Sequence, residues 1–252
     1  MTSRTPVWWG RARSQVEARL PMPLTHVAPV EHPETTAVAR RRRRVVAGVS
    51  VVGTGLLGLS LSTKPDSKAF YGLTAAVAGT WTAGGLLSGP LHLGWIQGRD
   101  QHLRRPVVTP VATGVGAFAF FYACALVARK IPVLDHAIGS VLTFAEEGSG
   151  PLVVATTLAN GLGEEVFFRG AMYAALDADR AVVASTAVYT LATVSTRNPA
   201  LVLAAGVMGT LFALQRRASG GLQAPVLTHL TWSTLMVRYL PPLFRHAHRS
   251  LP

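Results

Sequence analysis

Apolar stretches recur along the chain at lengths that suit bilayer-crossing helices, and the charged residues gather in the gaps between them. The pieces at about residues 45–62, 70–89, 107–128, 151–176, 180–195, 200–215 and 222–240 each read as one helix. In lipid every span must satisfy its own backbone hydrogen bonds, so helices are the expected form. Punctuating segments separate them: "STKPDSK" is a turn-rich loop, "SGPLHLG" ends the second span, "STRNP" is a tight turn and "QRRASGG" leads into the last helix. The stretch "IPVLDHAIGSVLTFAEEGSG" is too interrupted to cross. Its apolar residues Val133, Leu134, Ile138, Val141 and Leu142 recur at helical spacing, which predicts an interfacial helix. The expected fold class is all-α: a polytopic helical membrane protein with seven or eight transmembrane helices.

Composition strengthens the membrane reading. Of the 252 residues 49% are hydrophobic and 14% charged, and the formal net charge is +12. Such a charge also fits a nucleic-acid binder, but here the basic residues sit in short clusters beside apolar segments, without interleaved aromatics, so no nucleic-acid partner is expected. The run from Arg40 to Arg44 abuts the first span and marks the cytoplasmic side, where it would meet anionic lipid headgroups.

With the N-terminus cytoplasmic, Arg99, Arg104, Arg105, Arg216 and Arg217 fall inside as well. Seven spans would leave Arg238, Arg245 and Arg249 outside, and for that reason the expected count stays at seven or eight. Residues 1–44 read as a disordered basic cytoplasmic tail, 45–240 as the transmembrane domain and 241–252 as a short basic C-terminal tail. No cleavable signal peptide is expected, and the location expected is a bacterial-type plasma membrane, with membrane lipid as partner. A single cysteine, Cys124, gives no disulfide and reads as a packing residue.

One segment breaks the apolar pattern. In "NGLGEEVFFRG" (160–170) two adjacent glutamates and an arginine lie within a span. On a helix Glu165 and Arg169 are four residues apart and share a face, so they can pair, while Glu164 is rotated by about 100° and left free. Asn160 and Gly161, one turn earlier, leave room beside it for water or a peptide. Ionisable residues inside a membrane are costly and default to function. An ion pair that locks helix packing would account for Glu165 and Arg169 but not for a second glutamate. A desolvated carboxyl group is the kind of group that serves as a general base near neutral pH.

"EEVFFR" resembles the EExxxR signature of the CPBP intramembrane proteases, the CAAX prenyl-protease and bacteriocin-processing group also called the ABI domain. The approach "ASGGLQAPVLTH" into the last helix is also similar to that family, and the resemblance extends over about residues 70–240, with its core at about 150–240. It implies that Glu164 activates a water, that Glu165 and Arg169 form the supporting pair, and that His229 of "HLTWS" faces the oxyanion of the scissile carbonyl. Ser233 stands where the family has asparagine or aspartate, and its hydroxyl can donate from the same helix face. In the middle motif Tyr189 and Thr193 of "YTLAT" stand where the family has phenylalanine and histidine, and no histidine occurs between His136 and His229.

The implied activity is hydrolysis of a peptide bond in a membrane-tethered peptide or protein. The alternative is a catalytically silent member acting as a membrane scaffold or peptide-binding protein. No cofactor is implied with certainty. Zinc has Glu164 and His229 as weak candidate ligands, short of the three protein ligands a catalytic zinc site uses.

Overall fold

The computed structural model describes residues 26–28, 34–97 and 102–244, and over these the chain is all-helical apart from one small hairpin. Helix α1 spans Thr36–Ser60 and α2 spans Lys68–Ser88; after the hairpin β1 (Ile96–Gln97) and β2 (Leu103–Arg104) come α3 (Val108–Ala128) and α4 (Pro132–Glu147). Then follow α5 (Gly150–Glu164), a π-helical segment (Glu165–Met172), the short α6 (Tyr173–Ala175), α7 (Ala178–Val194), α8 (Pro199–Ser219), α9 (Gln223–Tyr239) and α10 (Pro241–Phe244).

Local chemistry sets several of these ends. Thr35 and Ser67 cap α1 and α2 by accepting the backbone N–H groups of Val38 and Phe70. The Asn198 side chain accepts from Ala200 and Leu201, with Pro199 opening α8. Gly220 closes α8 at φ 70°, a left-handed conformation that costs glycine little.

Four features differ from the sequence expectation. The first helix starts at Thr36, not at residue 45, and within the arginine run Arg42 is fully buried. Its guanidinium pairs with Glu34 and donates to Ser88 Oγ at 3.0 Å and to the Pro90 carbonyl at 2.9 Å. A buried arginine needs several acceptors, and these tie the start of α1 to the end of α2. Among the described residues two helices, α3 and α8, are long and apolar enough to cross a membrane by length and composition.

The fourth apolar stretch is not one continuous α-helix, because π geometry begins at Glu165. The "SGPLHLG" region runs into a hairpin, with Ile96 opposite Arg104 and Gln97 opposite Leu103. Cys124 lies on the exposed side of α3 and is not a core residue. Arg99, Arg245 and Arg249 lie outside the described residues, as do residues 1–25 and 29–33 of the expected N-terminal tail and 245–252 of the C-terminal one.

The π-helical segment is the hub of the fold, touched, besides the short α6 that continues it, by α1, α2, α5, α7, α8 and α9. Seven of its eight residues are buried, Val166 being the exception. Phe167 and Phe168 pack on Trp81 of α2 at ring-centroid distances of 4.7 and 5.0 Å, and Val46, Val77, Ala171, Met172 and Ala192 complete this core. Close approach of α2 depends on Gly85, where a Cβ would stand 2.8 Å from the Val166 carbonyl oxygen.

On the far side, Thr228 of α9 accepts from Gln215 of α8 at 2.8 Å and donates to the Pro110 carbonyl of α3 at 2.9 Å, which holds three helices in register. Helix α4, expected to be interfacial, is tied to the start of α8 by the Asn198 amide, which donates to the Ala137 carbonyl at 2.6 Å and to Ser140 at 3.1 Å.

Apolar side chains also cover the outside. Val51, Val52 and Leu59 of α1, Leu86 and Leu87 of α2, Val115, Phe120, Leu126 and Val127 of α3, Val183 and Leu191 of α7 and Leu203 of α8 are all exposed. A patch of this extent marks a surface meant for an apolar environment.

Candidate active site

The two adjacent glutamates occupy different surroundings. Glu164 ends α5 and is half-buried, whereas Glu165 opens the π segment and is wholly sealed. Helices whose hydrogen bonding switches to i→i+5 often do so at functional sites, and here the switch falls between the two carboxylates.

Glu165 is the centre of a buried network. Its Oε1 accepts from Arg169 Nη1 at 3.2 Å, so the pair expected from the spacing forms, and it lies 2.8 Å from His229 Nδ1. Arg169 is fully buried, donates through Nη2 to the Gly209 carbonyl at 3.2 Å, and rests against the rings of Tyr189 and Phe212 at 4.5 and 5.1 Å. His229 stacks on Phe212 at 4.7 Å with only 17° between the ring planes. A carboxylate accepts but does not donate, so the hydrogen bond to Glu165 puts a proton on Nδ1 and turns the other ring nitrogen away from it. That Nε2 faces Gly161 of α5, where a Cβ would stand 3.4 Å from it.

Glu164 is not free. Its Oε2 accepts from the Tyr189 hydroxyl at 2.6 Å, and this is its one hydrogen bond among the described residues. It lies within electrostatic reach of His229, Glu165 and Arg169. The space expected beside it at Asn160 and Gly161 is taken: the Asn160 amide donates to the Thr74 and Thr156 carbonyls at 3.2 and 2.9 Å, and the His229 ring packs on Gly161.

Of the residues proposed from sequence, Glu164, Glu165, Arg169 and His229 thus come together. Thr193 is buried one turn beyond Tyr189 on α7, and its hydroxyl donates back to the Tyr189 carbonyl at 2.9 Å, not to Glu164. Ser233 is buried one turn beyond His229 on α9. The family resemblance gives Tyr189 no role, because it stands where the motif has a phenylalanine. The signal was its extra hydroxyl, set one helical turn before the position that lacks a histidine.

The donor set does not fit zinc. Glu165 Oε1 is shared by a guanidinium and an imidazole, and the described residues hold no group of three or more histidine, cysteine or acidic side chains arranged for a metal.

A buried acid–base network with one half-buried glutamate at its edge lies at the centre of an apolar helical bundle, the setting in which helical membrane proteins build a polar site. Residues 147–235, which carry all of these groups, match the family described as type II CAAX prenyl endopeptidase Rce1-like. Over these residues the chain is similar to that family, which falls within the CPBP group. No curated protein and no solved structure matches the chain significantly.

Proposed function

We propose that the protein is a membrane-embedded endopeptidase in which Glu164 activates a water for attack on a peptide bond. The observation that carries this reading is the division of labour between the two glutamates. Glu165 is sealed, its Oε1 shared by Arg169 and His229 and its Oε2 buried without a hydrogen bond among the described residues, whereas Glu164 is half-buried at the edge of the network and accepts only from Tyr189.

Glu164 would take a proton from water as the oxygen adds to the scissile carbonyl, then return it to the leaving amine. The oxyanion that develops would be met by the His229 ring, whose Nδ1 is held by Glu165, with the Ser233 hydroxyl one turn away on the same helix. Arg169 keeps Glu165 neutralised.

The substrate class proposed is a membrane-tethered peptide or protein, prenylated or otherwise lipid-anchored, in keeping with the family's CAAX endopeptidase description. The exposed apolar side chains of α1, α2, α3, α7 and α8 support an integral membrane position, and the membrane we propose is a bacterial-type plasma membrane. We place α1, α2, α3, the α5–α6 run, α7, α8 and α9 as seven spans with a cytoplasmic N-terminus, and α4 as the eighth if it crosses.

The Thr193 hydroxyl, spent on its own helix where the resemblance implies a histidine, favours the second reading, a silent peptide-binding scaffold. Purified protein presented with a library of lipid-tethered peptides separates the two. Cleavage by wild type that is lost in Glu164→Ala supports the enzyme. Binding without cleavage supports the scaffold.

A further inference from the structure

We propose that Tyr189 is the positioning residue of this site: its hydroxyl fixes the Glu164 carboxylate while its ring is clamped on the Arg169 guanidinium. The inference rests on the reading of Glu164 as the base of a hydrolase.

The geometry requires something to hold Glu164. It stands where α5 gives way to π geometry, beside the like charge of Glu165. The nearest cation, Arg169, spends its terminal nitrogens on Glu165 and on the Gly209 carbonyl. The charged and titratable groups facing Glu164 are Glu165 and Arg169 from the π segment, His229 from α9 and Tyr189 from α7, and of these Tyr189 alone hydrogen-bonds it.

The tyrosine is itself immobilised. Its ring lies 4.5 Å from the Arg169 guanidinium carbon and 4.8 Å from the Phe168 ring, and α8 closes over it at Gly209, where a Cβ would stand 3.0 Å from Tyr189 Cδ1. A hydroxyl on a ring held this firmly selects one carboxylate rotamer and leaves the second oxygen for water. A phenol titrates near pH 10, so at neutral pH Tyr189 donates and does not serve as the base. Helix α7 thereby reaches the site from position 189, one turn before the position at which the resemblance implies a histidine.

Tyr189→Phe keeps the ring contacts and removes only the donor, which makes it the deciding variant. Its thermal unfolding should match wild type. On a tethered peptide that wild type cleaves, kcat should fall by about 10- to 100-fold with KM within about twofold, because the loss is one of orientation and not of substrate binding. Infrared difference spectra, wild type minus Glu164→Gln, isolate the Glu164 carboxyl band, and in the Tyr189→Phe background that band should move. The tyrosine ring band compared between wild type and Glu164→Ala reads the same hydrogen bond from the other side, and does so even if the phenylalanine variant fails to fold.

A moved band together with a kcat-specific loss supports the proposal. A moved band in a protein that cleaves nothing keeps the positioning contact and overturns the hydrolase reading instead. Unchanged bands, or an active enzyme whose kcat is indifferent to Tyr189→Phe, overturn the proposal.

Discussion

Arg169 illustrates how a buried charge ties stability to function. It is fully buried, and so is the Glu165 that it neutralises, so removing the guanidinium leaves a carboxylate whose remaining hydrogen-bond partner is His229. Breaking such a pair typically costs ~3–5 kcal/mol. Arg169→Ala is therefore expected to lower the unfolding midpoint and the abundance in membranes, and its loss of activity should track its loss of folded protein; a stable, abundant Arg169→Ala would show the pair to be dispensable.

Thr193 makes the opposite kind of test, because its own hydroxyl serves only its helix. Thr193→His supplies an imidazole one turn from Tyr189, and peptide cleavage is expected to rise by about 10-fold or more, within the range that general-base help supplies. The gain should vanish when Glu164→Ala is added, since groups acting on one water are not additive. The Glu165–Arg169 pair was legible in the sequence, because i,i+4 spacing on a helix dictates it. The bond from Glu165 to His229 was not, since it joins residues 64 apart and depends on how α9 packs.

At the scale of elements, alternating apolar stretches and turn residues located six of the helices to within a few residues, because the period and the capping chemistry are local. The exceptions have physical causes. The hairpin strands are two residues each, too short to carry a pattern. The π segment forms where six helices converge and packing overrides the local helical period. The early start of α1 follows from Arg42, a charged residue that tertiary acceptors make buriable.

Close packing around this hub makes graded predictions about glycines. At Gly53 a Cβ would run into the Trp81 indole, and at Gly85 it would stand 2.8 Å from backbone oxygen of the π segment. Alanine at either site should destabilise by about 1–3 kcal/mol, the usual cost of overpacking. Gly55, on the same helix as Gly53 but with nothing near it, should accept alanine with a gain of about 0.5–1 kcal/mol. Thermal unfolding of the three variants in one detergent checks the ranking, and equal effects would mean that α1 and α2 do not meet the hub as described.

For the molecule as a whole, an apolar exterior and a sealed polar centre belong together. The lipid-facing residues hold the bundle in an environment where charges are costly, and the site concentrates its charges where they neutralise one another. One group in that centre decides the chemistry, Glu164, the half-buried carboxylate that meets Tyr189. The most direct measurement is cleavage of lipid-tethered peptides by purified wild type and by Glu164→Ala, with thermal unfolding run in parallel. Cleavage by wild type should fall at least about 100-fold in the variant, the lower bound of what a general base contributes, while the unfolding midpoint stays the same. Cleavage that survives Glu164→Ala in a folded protein would contradict the role of Glu164 as the base.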